Sequence, residues 1–257
     1  SSSFKNKRFE GKLNQTLLCN VVKPMRADHL LLVGLGEGQV VTADKLRQAA
    51  GSAAKLAEKS KFKTISFCIP ADNSAKDVYA GLDQSKDNFS QTVVEGSLLS
   101  LYRFDEYKQP AKEKPGRINQ ITLLAHAKSQ VSSIRSAVSR GRKLASAVAT
   151  SRDLISQPSN TATPSYLAGR AKELAKSFGM SCKVLSTRDM KKLGMGALLG
   201  VSKGSEEPPA FIILEHHGGT KNDPPIVIVG KGITFDTGGI SLKPPASMDE
   251  MKMDMSG

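Results

Sequence analysis

Pro225-Ile226-Val227-Ile228-Val229-Gly230-Lys231-Gly232-Ile233-Thr234-Phe235-Asp236-Thr237-Gly238-Gly239 is the stretch from which the fold of this chain is read. Its first residues are short, wholly apolar and β-branched, a pattern that suits a strand buried on both faces of a sheet. The strand delivers Lys231 and Asp236 into a loop flanked by glycines. Glycine lets a backbone turn sharply and approach a ligand closely, and in open α/β sheets sites form beyond the carboxyl ends of the strands. A second lysine, Lys243, and a second aspartate, Asp254, follow in the same segment. Taken as residue types alone, the segment has two readings. One is a solvated loop with scattered charges. The other is a carboxylate metal site with a nearby cation, suited to zinc, manganese or magnesium; in two-metal sites such ions clamp an attacking water and a developing oxyanion together.

Working back from this stretch, short apolar runs alternate with helical patterns. Leu17–Val22, His29–Gly34, Thr64–Ile69 and Gln120–Ala125 read as strands, and Thr42–Ser60 carries Leu46, Ala49, Ala50, Ala53, Leu56 and Ala57 on one helical face. Val78–Leu101 reads as a further helix. Strands alternating with helices imply an α/β layer with a mostly parallel sheet. Val131–Ser156 is Ala-rich, basic and interrupted only by Gly141, as a connecting helix would be. Gln157–Pro164 breaks it and opens a new region, which places a domain boundary near residue 150. Beyond it come a helix over Ser165–Phe178 stopped by Gly179, a strand at Cys182–Leu185, a short helix at Thr187–Leu193, and strands at Ala210–Glu215 and Pro225–Gly230.

Composition bounds the function. The 257 residues are 39% hydrophobic and 24% charged, ordinary for a globular chain. No run approaches the roughly 18 apolar residues of a membrane-spanning helix, and Ser1–Lys5 has no apolar core like that of a signal peptide. Cys19, Cys68 and Cys182 are widely spaced, odd in number and set beside apolar residues, which reads as buried thiols in a reducing, cytoplasmic compartment rather than a disulfide or zinc framework. Lysine and arginine exceed aspartate and glutamate by 37 to 24, a formal net charge of +13. Such a field attracts nucleic acid or an acidic surface. The clusters at Lys5–Lys12, Lys108–Arg117 and Arg135–Lys143 lack interleaved aromatic residues, however, and read as solvated basic faces.

Two glycine-rich segments imitate nucleotide motifs. Gly34-Leu35-Gly36-Glu37-Gly38 follows a strand, but the dinucleotide fingerprint would require glycine where Gln39 stands. Gly230-Lys231-Gly232 lacks both the Ser or Thr after the lysine and the preceding glycine of a phosphate loop. His216 and His217 are adjacent at a strand end, so their side chains point to opposite faces and do not share a metal.

The string GKGITFDTGGISLKP (230–244), followed by MDEMKMDMSG (248–257), closely resembles the signature region of the leucyl aminopeptidase (cytosol aminopeptidase) family. The likeness is dense over 226–257 and extends more loosely to Arg152–Asn160, where Gln157 replaces an acidic residue common in the family. It implies a macro-like amino-terminal α/β domain over 1–150 and the first, incomplete part of an α/β/α metallopeptidase domain over 151–257. It also implies a two-metal aminopeptidase, using zinc or manganese with magnesium as a third candidate, that removes leucine and similar residues from peptide amino termini and assembles as a hexamer. By the same resemblance Lys231, Asp236 and Asp254 are metal ligands, Lys243 is the catalytic lysine, and Met251 lines the pocket for the substrate's first side chain. The family's second cluster, an NTDAEGR motif, has no counterpart here, so the chain is expected to be a truncated piece that is inactive alone. The rival reading is a non-catalytic nucleic-acid-binding or pseudo-enzyme module that uses the basic surface.

Overall fold

Residues 21–28 are all that separate β1 (Thr16–Asn20) from β2 (His29–Val33). That link is too short for the crossover of a dozen or more residues that a parallel pair needs. The two strands accordingly pair antiparallel, Thr16 opposite Val33 and Asn20 opposite His29. β3 (Thr64–Cys68) and β4 (Gln120–Leu124) are far apart in sequence, with a helix between them, and pair parallel in register Thr64↔Gln120 to Cys68↔Leu124. These relations come from a computed structural model describing residues 9–22, 24–37, 40–70, 87–109, 116–220 and 223–257.

The chain divides into two units, Ser1–Thr150 and Ser151–Gly257. The first is organised around α1 (Ala43–Lys59) and α2 (Asp87–Ser100). Thr42 caps α1, its hydroxyl accepting from the Lys45 amide, as a short β-region residue does at an N-cap. One face of α1 buries Leu46, Ala49, Ala50, Ala53, Ala54 and Ala57. Alanines at that spacing keep the face thin, and α2 comes close enough that only glycine fits at one crossing point and a side chain is crowded at a second. A Cβ on Gly96 would lie 2.1 Å from the Arg47 carbonyl oxygen, and one on Gly51 3.2 Å from the Gly96 oxygen. Val41, Leu46, Ala50 and Val93 form the core here, with Phe67 and Leu123 of the parallel pair packed against it. At its edge the half-exposed Arg47 holds the buried Glu95 carboxylate at 3.0 Å. Of the helix expected over Val78–Leu101, the part Asp87–Ser100 is described and helical, while residues 71–86 lie outside the described set.

The second unit takes up the end of α3 (Val131–Ser156) and continues with α4 (Pro164–Phe178). The α4 boundaries follow from its termini. The Thr163 hydroxyl accepts from the Tyr166 amide, Pro164 occupies the first turn, and Gly179 ends the helix in the left-handed region at φ 64°. β5 (Ser181–Leu185) and β6 (Phe211–Glu215) pair antiparallel. Between them lie α5 (Thr187–Lys192) and α6 (Gly196–Ser202), the second of which the sequence pattern does not announce. Six residues, Met248–Met253, form a 3₁₀ helix near the end of the chain.

The fold class is α/β, as expected. The parallel arrangement is met at β3–β4, whereas β1–β2 and β5–β6 are antiparallel. Two expectations are corrected. Pro225–Gly230 is not a strand: it has no ladder partner among the described residues, and Ile226, Val227, Ile228 and Val229 are 93%, 76%, 91% and 87% exposed. A β-branched run supplies the propensity for a strand, but only a partner supplies the hydrogen bonds that make one. Cys68 is exposed rather than buried, because β3 alternates in burial and Cys68 falls on its open face; Cys19 and Cys182 are half-buried. None of the described helices is long and apolar enough to cross a membrane.

Candidate metal centre

Lys231, Asp236 and Lys243 are carried on an irregular segment that follows Val229 and has no regular secondary structure before the 3₁₀ helix. Its shape is fixed by backbone contacts. The Lys243 amide donates to the Thr237 carbonyl at 2.9 Å, closing a loop that contains Gly238 and Gly239 at φ 95° and 75°. Residues with a side chain rarely adopt that region. At Gly238 space forbids one as well, since a Cβ there would lie 2.4 Å from the Ser241 carbonyl oxygen. The loop turns the Gly238 amide onto Asp236 Oδ1 at 2.9 Å and brings Lys243 Nζ to 2.8 Å from Asp236 Oδ2. The same ammonium lies 3.1 Å from the Met251 sulfur. Lys243 therefore joins Asp236 to Met251, residues of different segments.

Lys231 and Asp254 meet by a second close approach. A Cβ on Gly230 would lie 2.3 Å from the Gly257 carbonyl oxygen, and one on Gly257 2.7 Å from the Lys231 amide nitrogen. Two side-chain-free positions thus let the backbones touch, and Lys231 Nζ comes to 2.6 Å from Asp254 Oδ2. The angles there are not those of a hydrogen bond: Oδ2 is buried and accepts none. The Lys231 ammonium is thus the partner that offsets the burial of this oxygen.

Electrostatically the four groups balance as two carboxylates against two amines. The Lys243 ammonium, helped by the Gly238 amide, holds the Asp236 carboxyl below the usual carboxylate range. The carboxylates of Asp236 and Asp254 and the Lys231 amine form a donor set that fits a divalent cation preferring oxygen and nitrogen. It is a partial set: among the described residues no three His, Cys, Asp or Glu side chains gather.

All five residues singled out in the sequence are therefore in one place. Lys231 stands beside Asp254, and Lys243 beside both Asp236 and Met251. His216 and His217 stay exposed after β6, apart from these contacts. The sequence reading missed Lys252, whose Nζ donates to the Ser156 carbonyl at the end of α3. A lysine among charged neighbours reads as solvated, and only the ninety-six-residue separation of its partner, seen in three dimensions, gives it away.

Comparison with known proteins fits this geometry. Residues 1–111 match the cytosol aminopeptidase family, N-terminal domain, and residues 149–257 match the cytosol aminopeptidase family, catalytic domain. A probable cytosol aminopeptidase of Geotalea uraniireducens is 42% identical over 258 residues, covering 100% of this chain and 50% of the relative. One from Syntrophotalea carbinolica is 38% identical, covering 99% and 50%. Among solved structures, the bottromycin maturation enzyme BotP in complex with Mn superposes with a TM-score of 0.78 at 32% identity, covering 99% of this chain and 50% of that one. A tomato leucine aminopeptidase variant reaches a TM-score of 0.79 at 24% identity, covering 100% and 46%, a likeness of fold. The chain spans about half the length of the curated relatives it matches.

Proposed function

The chain belongs to the cytosol aminopeptidase family, and on that premise we propose that the full-length protein is a two-metal aminopeptidase that removes leucine and similar residues from peptide amino termini. The observation that carries the proposal is the convergence of Lys231 on the buried Asp254 Oδ2 beside the Asp236–Lys243 pair. In this reading Lys231, Asp236 and Asp254 hold divalent cations, manganese or zinc, with the remaining ligands lying outside these 257 residues. Manganese is favoured by the metal of BotP.

Bound there, the cations would polarise the scissile carbonyl and activate water. Lys231 would ligate only as the neutral amine, its proton passing to solvent when a cation bound. Lys243 has the opposite task. Its ammonium, 2.8 Å from the Asp236 carboxylate, is positioned to stabilise negative charge growing on the attacked carbonyl oxygen. Met251, in contact with that ammonium, offers a soft apolar surface to the first side chain of the substrate.

The test is hydrolysis of leucine p-nitroanilide by the full-length protein with manganese and then with a chelator. Manganese-dependent turnover abolished by the chelator is the expected result, and a folded protein inert in both conditions sinks the reading. The net charge of +13 favours a second reading, a nucleic-acid-binding module. An inert protein whose DNA affinity falls steeply with salt would establish that one instead.

Lys243→Met separates the two lysines. It is expected to lower kcat by roughly 10²–10³-fold, as removal of one oxyanion donor does, while manganese content measured by atomic emission stays at the wild-type level. Loss of manganese with kcat would reassign Lys243 as a ligand.

A further inference from the structure

A 3₁₀ helix has three residues per turn, so positions i and i+3 eclipse one another. In Met248–Met253 and its cap this stacks Met251 and Asp254 along one edge, with Lys252 a third of a turn away. Met251 meets the Lys243 ammonium and Asp254 meets Lys231. Lys252 leaves in another direction and donates to the Ser156 carbonyl, at 3.4 Å. That carbonyl belongs to the final residue of α3, a 26-residue helix whose last turn has no basic residue of its own. Helix C-termini carry unsatisfied carbonyls and partial negative charge, which a lysine ammonium complements. Asp249, Glu250 and Met253 are exposed and none of the six residues is fully buried, Met255 just beyond them being the nearest buried side chain. Contacts such as that of Lys252 therefore help fix how the short helix is turned about its axis. We infer that Lys252 is a positioning residue: by tying the 3₁₀ helix to the end of α3 it sets the rotation at which Asp254 faces Lys231 and Met251 faces Lys243.

This inference rests on the proposed metal site for its consequence, but not for its geometry. Among the described residues Lys252 forms no ion pair with either carboxylate, and so acts through the turn that carries Met251 and Asp254. Outer groups that orient metal ligands typically contribute 10–100-fold to affinity. Lys252→Met keeps most of the length and apolar stem but removes the donor and the charge. Lys252→Arg restores both.

The experiment uses the full-length protein, with manganese alone as probe. Binding of Mn²⁺ is followed by electron paramagnetic resonance, and amide hydrogen exchange is measured over 248–257 with α4 as internal reference. Lys252→Met is expected to weaken Mn²⁺ binding about 10–100-fold and to speed exchange over 248–257 while α4 is unchanged. Lys252→Arg should return both to near the wild-type values. Wild-type exchange in Lys252→Met overturns the inference, as does failure of Lys252→Arg to rescue. Faster exchange in α4 as well would mean general destabilisation, and overturns it too. If the wild-type protein binds no Mn²⁺, the proposed function fails, and the exchange measurement still decides whether Lys252 holds the turn.

Discussion

Asp236→Ala in the full-length protein is expected to abolish both metal retention and peptide hydrolysis, with kcat/KM falling by more than the roughly 100-fold that loss of an orienting outer group causes. Asp236 accepts from the Gly238 amide and pairs with Lys243, which also meets Met251 of the 3₁₀ helix that Asp254 caps. The Asp236 carboxylate thus ties the glycine loop to the rest of the candidate centre. Removing it leaves the Lys243 ammonium without its partner and Asp254 as the remaining acidic donor. Asp236→Asn sharpens the test, because the amide oxygen can still accept from Gly238 and hold the loop while the charge is gone. If the site is a metal centre, both variants lose manganese and turnover, and the melting temperature stays close to wild type since the pair lies at the surface. Wild-type turnover in either variant would refute the assignment. Loss of activity in Asp236→Ala alone would reduce Asp236 to a loop-shaping residue.

How much of this was legible in the sequence depends on whether the information was local. Helix α4 was readable over Ser165–Phe178 because its stop signal, Gly179, is local; Thr163 and Pro164, read as part of the break before it, prove to be its cap and first turn. β1–β4 were readable as apolar runs bounded by turns, but their pairing was not. Direction in β1–β2 is imposed by the short link, whereas in β5–β6 the long connection permits either direction and the contacts of the folded unit decide. Residues 225–230 mark the limit from the other side. Their composition specifies a buried strand, and their exposure shows that burial is a property of what lies alongside, which no window of sequence contains.

The candidate site divides in the same way. Lys231, Asp236, Lys243, Met251 and Asp254 were found through a dense likeness of motif, and residue chemistry alone left a solvated loop as an equal alternative. What the motif does not contain is how the residues are held: the Gly230–Gly257 backbone approach, the Gly238 turn, and the Lys252 link to Ser156. Each depends on a distance between segments. The dinucleotide-like Gly34–Gly36 stretch shows why such glycines mislead when read alone. Gly34 is required because a Cβ there would lie 2.0 Å from the Lys12 carbonyl oxygen, a packing constraint within the first unit that involves no phosphate.

Glycines inside helices allow a prediction of opposite signs at two positions. Gly96 in α2 and Gly169 in α4 both cost helix stability relative to alanine, by about 1 kcal/mol each. At Gly169 nothing lies within 4 Å of the added methyl, so Gly169→Ala should realise that gain and raise the unfolding midpoint. At Gly96 the methyl would meet Arg47 backbone atoms at 2.1, 2.8 and 3.0 Å. Backbone cannot swing aside as the tip of a side chain can, so α1 and α2 must separate. Separation loosens the Val41, Leu46, Ala50 and Val93 core and stretches the Arg47–Glu95 pair, whose carboxylate is buried. Overpacking of this kind costs about 1–3 kcal/mol and more when the obstacle is rigid, which exceeds the propensity gain. Gly96→Ala should therefore lower the midpoint, by about 2–4 °C for each net kcal/mol in a domain of this size. Gly96→Val, with two further methyl groups in the same gap, should leave the first unit largely unfolded. Thermal unfolding followed by circular dichroism distinguishes the cases. A rise in midpoint for Gly96→Ala equal to that of Gly169→Ala would mean that the two helices do not approach as closely as their backbones indicate.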